Sequence, residues 1–161
     1  MILPPPLPCG DDCHWKIAAI YAYWQSLWRD GKPPSRADFD PIDVPRLLPN
    51  IWLLDVLHQE PMRFRYRLIG THVAKARAMD RTGQFMDDEF PNFYEGRFFA
   101  SLRDVVTTRT PAWRRGPTEQ QHRRDAILYV ERLFLPLVNA DDMVDIVLAL
   151  TIYFLADTGE L

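Results

Sequence analysis

Few residues in this chain carry reactive chemistry, and their spacing limits what each can do. Cys9, Cys13 and His14 gather two sulfurs and an imidazole in one short stretch, and thiolates and imidazoles are good zinc ligands. A fourth ligand would have to come from Asp11, Asp12 or elsewhere, and the spacing matches no standard zinc site, so no metal is expected. His58, His72 and His122 are scattered. Ser26, Ser35 and Ser101 lack the Gly-x-Ser-x-Gly turn that presents a nucleophilic serine, and no glycine-rich phosphate loop is present. Asp87, Asp88 and Glu89 are adjacent, which suits a solvated turn better than acid–base catalysis. No catalytic set forms, and the chain is read as a non-enzyme.

Charge is the other resource. Arg63, Arg65 and Arg67 alternate along one run, and Arg114, Arg115, Arg123 and Arg124 form a second cluster. Both could meet a phosphate-bearing ligand, RNA or an acidic partner. The plainer alternative is a solvated face paired with Asp38, Asp40, Asp43 and Asp55, where each surface pair contributes about 0–1 kcal/mol. No aromatic residues interleave the arginine-rich loop to stack bases, and the net charge is -3, so no nucleic-acid partner is expected. Asp80-Arg81-Thr82-Gly83 has two readings. Arg81 could meet an anionic ligand at a cavity mouth, or the four residues form a plain turn in which Asp80 accepts backbone N–H groups and Gly83 takes a positive φ.

The elements that would position these residues follow from periodicity. Residues 1–12 are proline-rich and cannot nucleate a helix. Asp11 or Asp12 then offers a cap to a helix from His14 to about Asp30, with Ile17, Tyr21, Trp24 and Trp28 on one stripe. Gly31 and Pro33-Pro34 stop it. A short helix is expected over Asp43–Leu48. Ile51–Leu57 and Arg63–Ile69 read as a hairpin, with Phe64, Tyr66 and Leu68 on one face and the arginines on the other. Thr71 caps a short helix to Ala78. Phe98, Leu102, Val105 and Val106 mark a long helix over Tyr94–Arg109, which Pro111 ends. Strands are expected at Ala112–Thr118, Ala126–Val138 and Met143–Ala156, with a loop at Asn139–Asp142. The last two strands are apolar on both faces, so both faces of the sheet must be covered. The first helix, with its tryptophans, is the nearest cover for the second face, from within the chain or from a partner subunit. This order predicts an α+β fold with an antiparallel sheet.

The 161 residues are 47% hydrophobic and 25% charged, which suits one domain with a packed core and an extra element. The segments read as a flexible start (1–12), an N-terminal helix (13–31), a connection (32–50), the main domain (51–156) and a tail (157–161). Ile146–Leu155 is too short to span a bilayer, which takes about 20 residues. Two neighbouring cysteines do not make a disulfide framework, and the N-terminus lacks the pattern of a signal peptide. A reducing cytoplasm is expected.

Certain stretches carry a family likeness. They are Trp24-xxx-Trp28-Arg29 ending at Gly31, Pro34-Ser35-Arg36-Ala37-Asp38-Phe39-Asp40-Pro41, and Leu47-Leu48-Pro49-Asn50 leading into Leu53-Leu54-Asp55-Val56. Phe64-Arg65-Tyr66-Arg67-Leu68-Ile69-Gly70-Thr71, Asp80-Arg81-Thr82-Gly83 and Leu135-Pro136-Leu137 follow. Their order resembles a PAS domain, and at finer grain the chain is similar to small single-domain bacterial PAS-like proteins of the alphaproteobacterial type. The likeness covers nearly everything after the proline-rich start. It implies a five-stranded antiparallel sheet with helices on one face, an extra N-terminal helix, and a sensory or regulatory role in bacterial signalling with no assigned ligand. Any cofactor is unknown. Haem and flavin are not expected, because the long helix region offers no suitable histidine and the flavin-accepting cysteine context is missing.

In that architecture Phe64, Tyr66, Leu68, Arg81, Phe85, Phe90, Phe93, Phe98, Leu102 and Trp113 would line a cavity for a small ligand, or simply fill the core. Ile17, Tyr21, Trp24 and Trp28 would form a homodimer contact, or the output would pass to a signalling partner. Two other roles stay open: a ligand-free structural adaptor, and a small cone-shaped enzyme with unidentified catalytic residues.

Overall fold

The computed structural model describes residues 2–117, 127–156 and 159–161. The expected link Glu119–Asp125, with Arg123 and Arg124, lies outside the described residues. Among the described residues six strands form one antiparallel sheet: β1 (Ile51–Leu57), β2 (Arg63–Ile69), β3 (Ala112–Gly116), β4 (Ile127–Val138), β5 (Val144–Leu155) and β6 (Gly159–Glu160). Their order is β2-β1-β5-β4-β3, with β6 beside the end of β5. Five of them make the α+β sheet expected from sequence. The sixth is a two-residue addition within the expected tail.

The helices are α1 (Trp15–Ser26), α2 (Thr71–Arg77), α3 (Met86–Glu89) and α4 (Arg97–Thr108). Alternation along β5 shows why both sheet faces are covered. Val147, Ala149 and Tyr153 join the cluster made with α2, α3 and α4. Ile146, Leu148, Leu150 and Ile152 join the cluster made with α1. On α1, Ile17, Ile20, Tyr21 and Trp24 are buried on this second face, so the chain supplies its own cover. The Trp24 indole N–H also donates to the Pro136 carbonyl at 2.9 Å.

α1 is shorter than the periodicity predicts. It ends at Ser26 because Asp30 and Gly31 both take positive φ (53° and 72°), closing a tight turn that pairs Arg29 with Lys32. Its N-cap is His14, whose Nδ1 accepts from the Lys16 N–H at 3.1 Å, and not Asp11 or Asp12. The short helix expected over Asp43–Leu48 is replaced by two single 3-10 turns, Pro41–Asp43 and Leu48–Asn50. Pro45, inside the expected span, disfavours helical backbone at the residue before it, and Val44 takes φ -132° and ψ 46°.

The hairpin pairs as expected, with one correction. β1 and β2 slip register between Leu53 and Leu54, so Leu53 faces Leu68, Leu54 faces Tyr66, and Arg67 is the extra residue of a bulge. The bulge turns Leu68 away from Phe64 and Tyr66, leaving it 45% exposed while Ile69 packs into the core. β2 then ends at Gly70. A Cβ there would lie 2.5 Å from the carbonyl oxygens of Leu48 and Ile51, so only glycine fits.

Candidate functional site

The expected cavity residues do not form one group. Phe64, Phe93 and Leu102 are buried together with Phe99 between sheet and helices. Their rings meet edge to face, with centroids 6.4 Å apart for Phe64–Phe93 and 5.5 Å for Phe93–Phe99. Phe90 and Phe98 pack half-buried at the margin of this cluster. Phe85 sits outside it, with the Arg63 guanidinium 3.8 Å over its ring. Leu68 is on the opposite sheet face. Trp113 pairs opposite Leu133 and packs into the α1-side cluster.

The Asp80–Gly83 turn is built from its own atoms. Asp80 Oδ1 accepts from the Thr82 N–H at 2.9 Å and the Thr82 hydroxyl at 2.6 Å. These bonds hold its carboxyl below the usual carboxylate range. Gly83 (φ 88°) donates to the Tyr66 carbonyl at 2.7 Å, and Tyr66 donates to the Gln84 carbonyl at 2.9 Å. The turn thereby covers the free edge of β2. Arg81 Nε lies 2.9 Å from Glu89 Oε1. Glu89 also pairs with Arg77 and accepts the Tyr66 hydroxyl at 2.8 Å. Arg77 donates to the same hydroxyl at 2.8 Å. This buried network ties α2 and α3 to β2.

The arginine row is likewise paired. Arg65 and Arg67 each reach Asp55 at 3.1 Å across the outer face of the hairpin. Arg63 reaches Asp87 at 3.0 Å. Of the acids expected to pair with this row, Asp55 is the one that does.

A cleft opens between the start of α4 and strands β3 and β4. Arg97, Phe98, Ser101, Ala112, Trp113, Arg114, Arg132 and Phe134 line it, and its enclosed volume is about 30 Å³, close to one water molecule. Arg132 sits deepest, at 7% exposure. Its Nε donates to Thr151 Oγ1 at 3.3 Å, and the same hydroxyl accepts the Trp52 indole N–H at 2.9 Å. Its guanidinium lies 4.5 Å from the Phe98 ring centroid and 5.7 Å from that of Phe134. Burial pushes its pKa down to about 10. Among the described residues no carboxylate pairs with it.

The next residue toward the N-terminus, Glu131, is 1% exposed and points the other way. It accepts the backbone N–H of His14 at 3.0 Å and the Trp113 indole N–H at 3.0 Å, and lies 3.3 Å from Arg115. One strand thus carries a buried cation at the cleft and a buried anion at the start of α1. Neither residue was singled out from sequence. The signal was present: Glu131-Arg132 interrupts an otherwise apolar strand, and charges in such a strand are rarely buried without a partner.

Cys9 and Cys13 are bonded to each other as a disulfide. This corrects the expectation of free thiols, and it leaves neither sulfur as a thiolate ligand for a metal. Among the described residues no helix is long and apolar enough to cross a membrane.

A family model described as a PAS domain matches residues 13–152. No curated protein matches the sequence. The match spans α1, the whole helical crossover and the sheet through most of β5, the elements whose order the structure displays, and on that ground the chain belongs to the PAS domain family.

Proposed function

We propose that this protein is a non-catalytic sensory or regulatory module in which a small ligand at the α4/β3/β4 cleft is read out through α1. One observation carries the reading: Arg132 at the cleft and Glu131 at the α1 cap are consecutive on β4. Trp113 borders the cleft and donates to Glu131. A ligand that shifts β3 by a fraction of an ångström alters the hydrogen bond that seats α1, and so biases two packings of the same helix.

The outer side of α1 supplies the output surface. Trp15, Ala19 and Tyr23, with Val44–Leu47, border a groove of about 430 Å³, and Trp15 is 55% exposed. A second copy or a signalling partner would dock there, since Ile17, Tyr21 and Trp24 are spent on the chain's own sheet. Haem and flavin have no part in this reading. It keeps a cytoplasmic location, where thiols are ordinarily held reduced. Alkylation at lysis followed by mass spectrometry tests that location: a Cys9–Cys13 bond that persists in the cell counts against a reducing compartment.

Native mass spectrometry of gently purified protein tests the sensor reading. A reproducible extra mass that disappears on denaturation supports it, and a bare polypeptide from every preparation sinks it. The rival, a ligand-free adaptor, is favoured by the ring packing of Phe64, Phe93 and Phe99, which fills the space between sheet and helices.

A further inference from the structure

Resting on the reading of the α4/β3/β4 cleft as the ligand site, we infer that the cleft takes a small molecule with a carboxylate head and a flat apolar body. Among the described residues the lining holds Arg97, Arg114 and Arg132 and no acidic side chain. Two cations are graded by depth: Arg97 at the mouth is exposed and Arg132 at the floor is buried, while Arg114 beside them has partners of its own. Such a gradient draws an anion inward and leaves the last contact in the driest place, where a charge-assisted bond is strongest. The desolvation of Arg132 is already met by the fold, so an arriving anion regains Coulombic energy without repeating that cost. The lowered pKa of Arg132 reports the same desolvation.

The size of the head follows from the volume. About 30 Å³ of enclosed space admits a group near the size of one water, so only the charged end enters. The shape follows from the walls. Phe98 and Phe134 both lie against the guanidinium of Arg132, and Phe98, Phe134 and Ala112 give the rest of the cleft apolar faces, while the Trp113 indole is turned to the α1 side. A planar guanidinium pairs with carboxylate and phosphate alike, so the choice rests on size: a flat carboxylate head suits about 30 Å³ better than a bulkier tetrahedral anion. Ser101 on α4 supplies a neutral donor beside it.

The test is titration of the full chain at fixed ionic strength with benzoate, acetate, inorganic phosphate and the neutral benzyl alcohol, followed by tryptophan fluorescence and thermal midpoint. Benzoate is expected to raise the midpoint and change the fluorescence saturably. Acetate should bind more weakly and benzyl alcohol at least 10-fold more weakly. Arg132→Met should abolish benzoate binding. Arg97→Gln, at the exposed mouth, should weaken it about 3- to 10-fold in a protein whose circular dichroism is unchanged, which keeps the test valid if the buried variant misfolds. Benzyl alcohol binding as tightly as benzoate would overturn the charge assignment and leave the cleft as a ligand site. Phosphate displacing benzoate at equal concentration would overturn the carboxylate assignment. If no probe binds while native mass spectra show a retained ligand, the inference fails and the sensor reading stands. If no probe binds and the spectra show bare chain, both fail.

Discussion

Glu131 and Arg132 stand back to back on β4, the first at 1% exposure facing α1 and the second at 7% exposure facing α4. Adjacent residues on a strand point to opposite faces, so this pair sets a charge on each side of a sheet that is otherwise apolar there. Both charges are costly to bury alone. Glu131 is compensated by the His14 N–H, the Trp113 indole and Arg115. Among the described residues, Arg132 meets only a threonine hydroxyl and ring faces.

Glu131→Gln should therefore destabilise the fold by about 1–3 kcal/mol, the range for leaving buried donors poorly matched. Urea denaturation measures it. Amide exchange at Lys16 and Ile17 should rise in the same variant, because the cap of α1 is loosened. Unchanged exchange there would mean that Glu131 does not seat the helix.

Gly70→Ala should cost more than about 2 kcal/mol, since overpacking against fixed atoms is not relieved by side-chain movement. The atoms in the way are the carbonyl oxygens of Leu48, Pro49 and Ile51, at 2.5–2.6 Å from the new Cβ. Gly83→Ala, where a Cβ meets nothing within 4 Å but φ is 88°, should cost about 1 kcal/mol from backbone strain alone. A thermal scan of both variants ranks them.

The bulge in β2 makes neighbouring sites respond differently. Leu68→Lys should change stability by less than about 0.5 kcal/mol, as at other exposed positions. Phe64→Ala should cost about 3–5 kcal/mol, as for buried rings. Equal costs would mean that Leu68 is buried and the register slip is absent.

His72 gives a pH dependence. Burial, then the charge of Lys16 and more weakly that of Lys75, hold its pKa below the usual value, while Glu160 opposes them. Its Nδ1 has no partner among the described residues. As pH falls below about 6.5 the unfolded chain takes up a proton that the folded chain does not. Stability is therefore lost as pH falls through that window, and it is fully present above it. Asp145, whose carboxyl is raised by burial, acts at lower pH with the opposite sign. The difference between wild type and His72→Gln, from urea midpoints at pH 7.5, 6.5 and 5.5, isolates the histidine: the variant should show the flatter profile.

The order of elements was legible in the amino-acid sequence because it rests on local rules. Period-two alternation marked Arg63–Ile69 to the residue, and apolar runs with turn residues between them bounded β4 and β5 closely. The doubled apolar faces of those strands required a cover, and the tryptophan-bearing α1 lies there. Tertiary structure alone decided three matters. The slip at Arg67 arises from pairing with β1, and nothing in β2 itself announces that Leu68 will turn outward. The separation of Phe85, Leu68 and Trp113 from the Phe64 cluster depends on which strand face and which loop each occupies, and helical or strand spacing cannot rank these. The cleft joins Arg97 on α4, Arg114 on β3 and Arg132 on β4. Such a meeting of distant residues is a consequence of sheet order and helix packing, because spacing along the chain does not say which charges from separate elements will share one cleft.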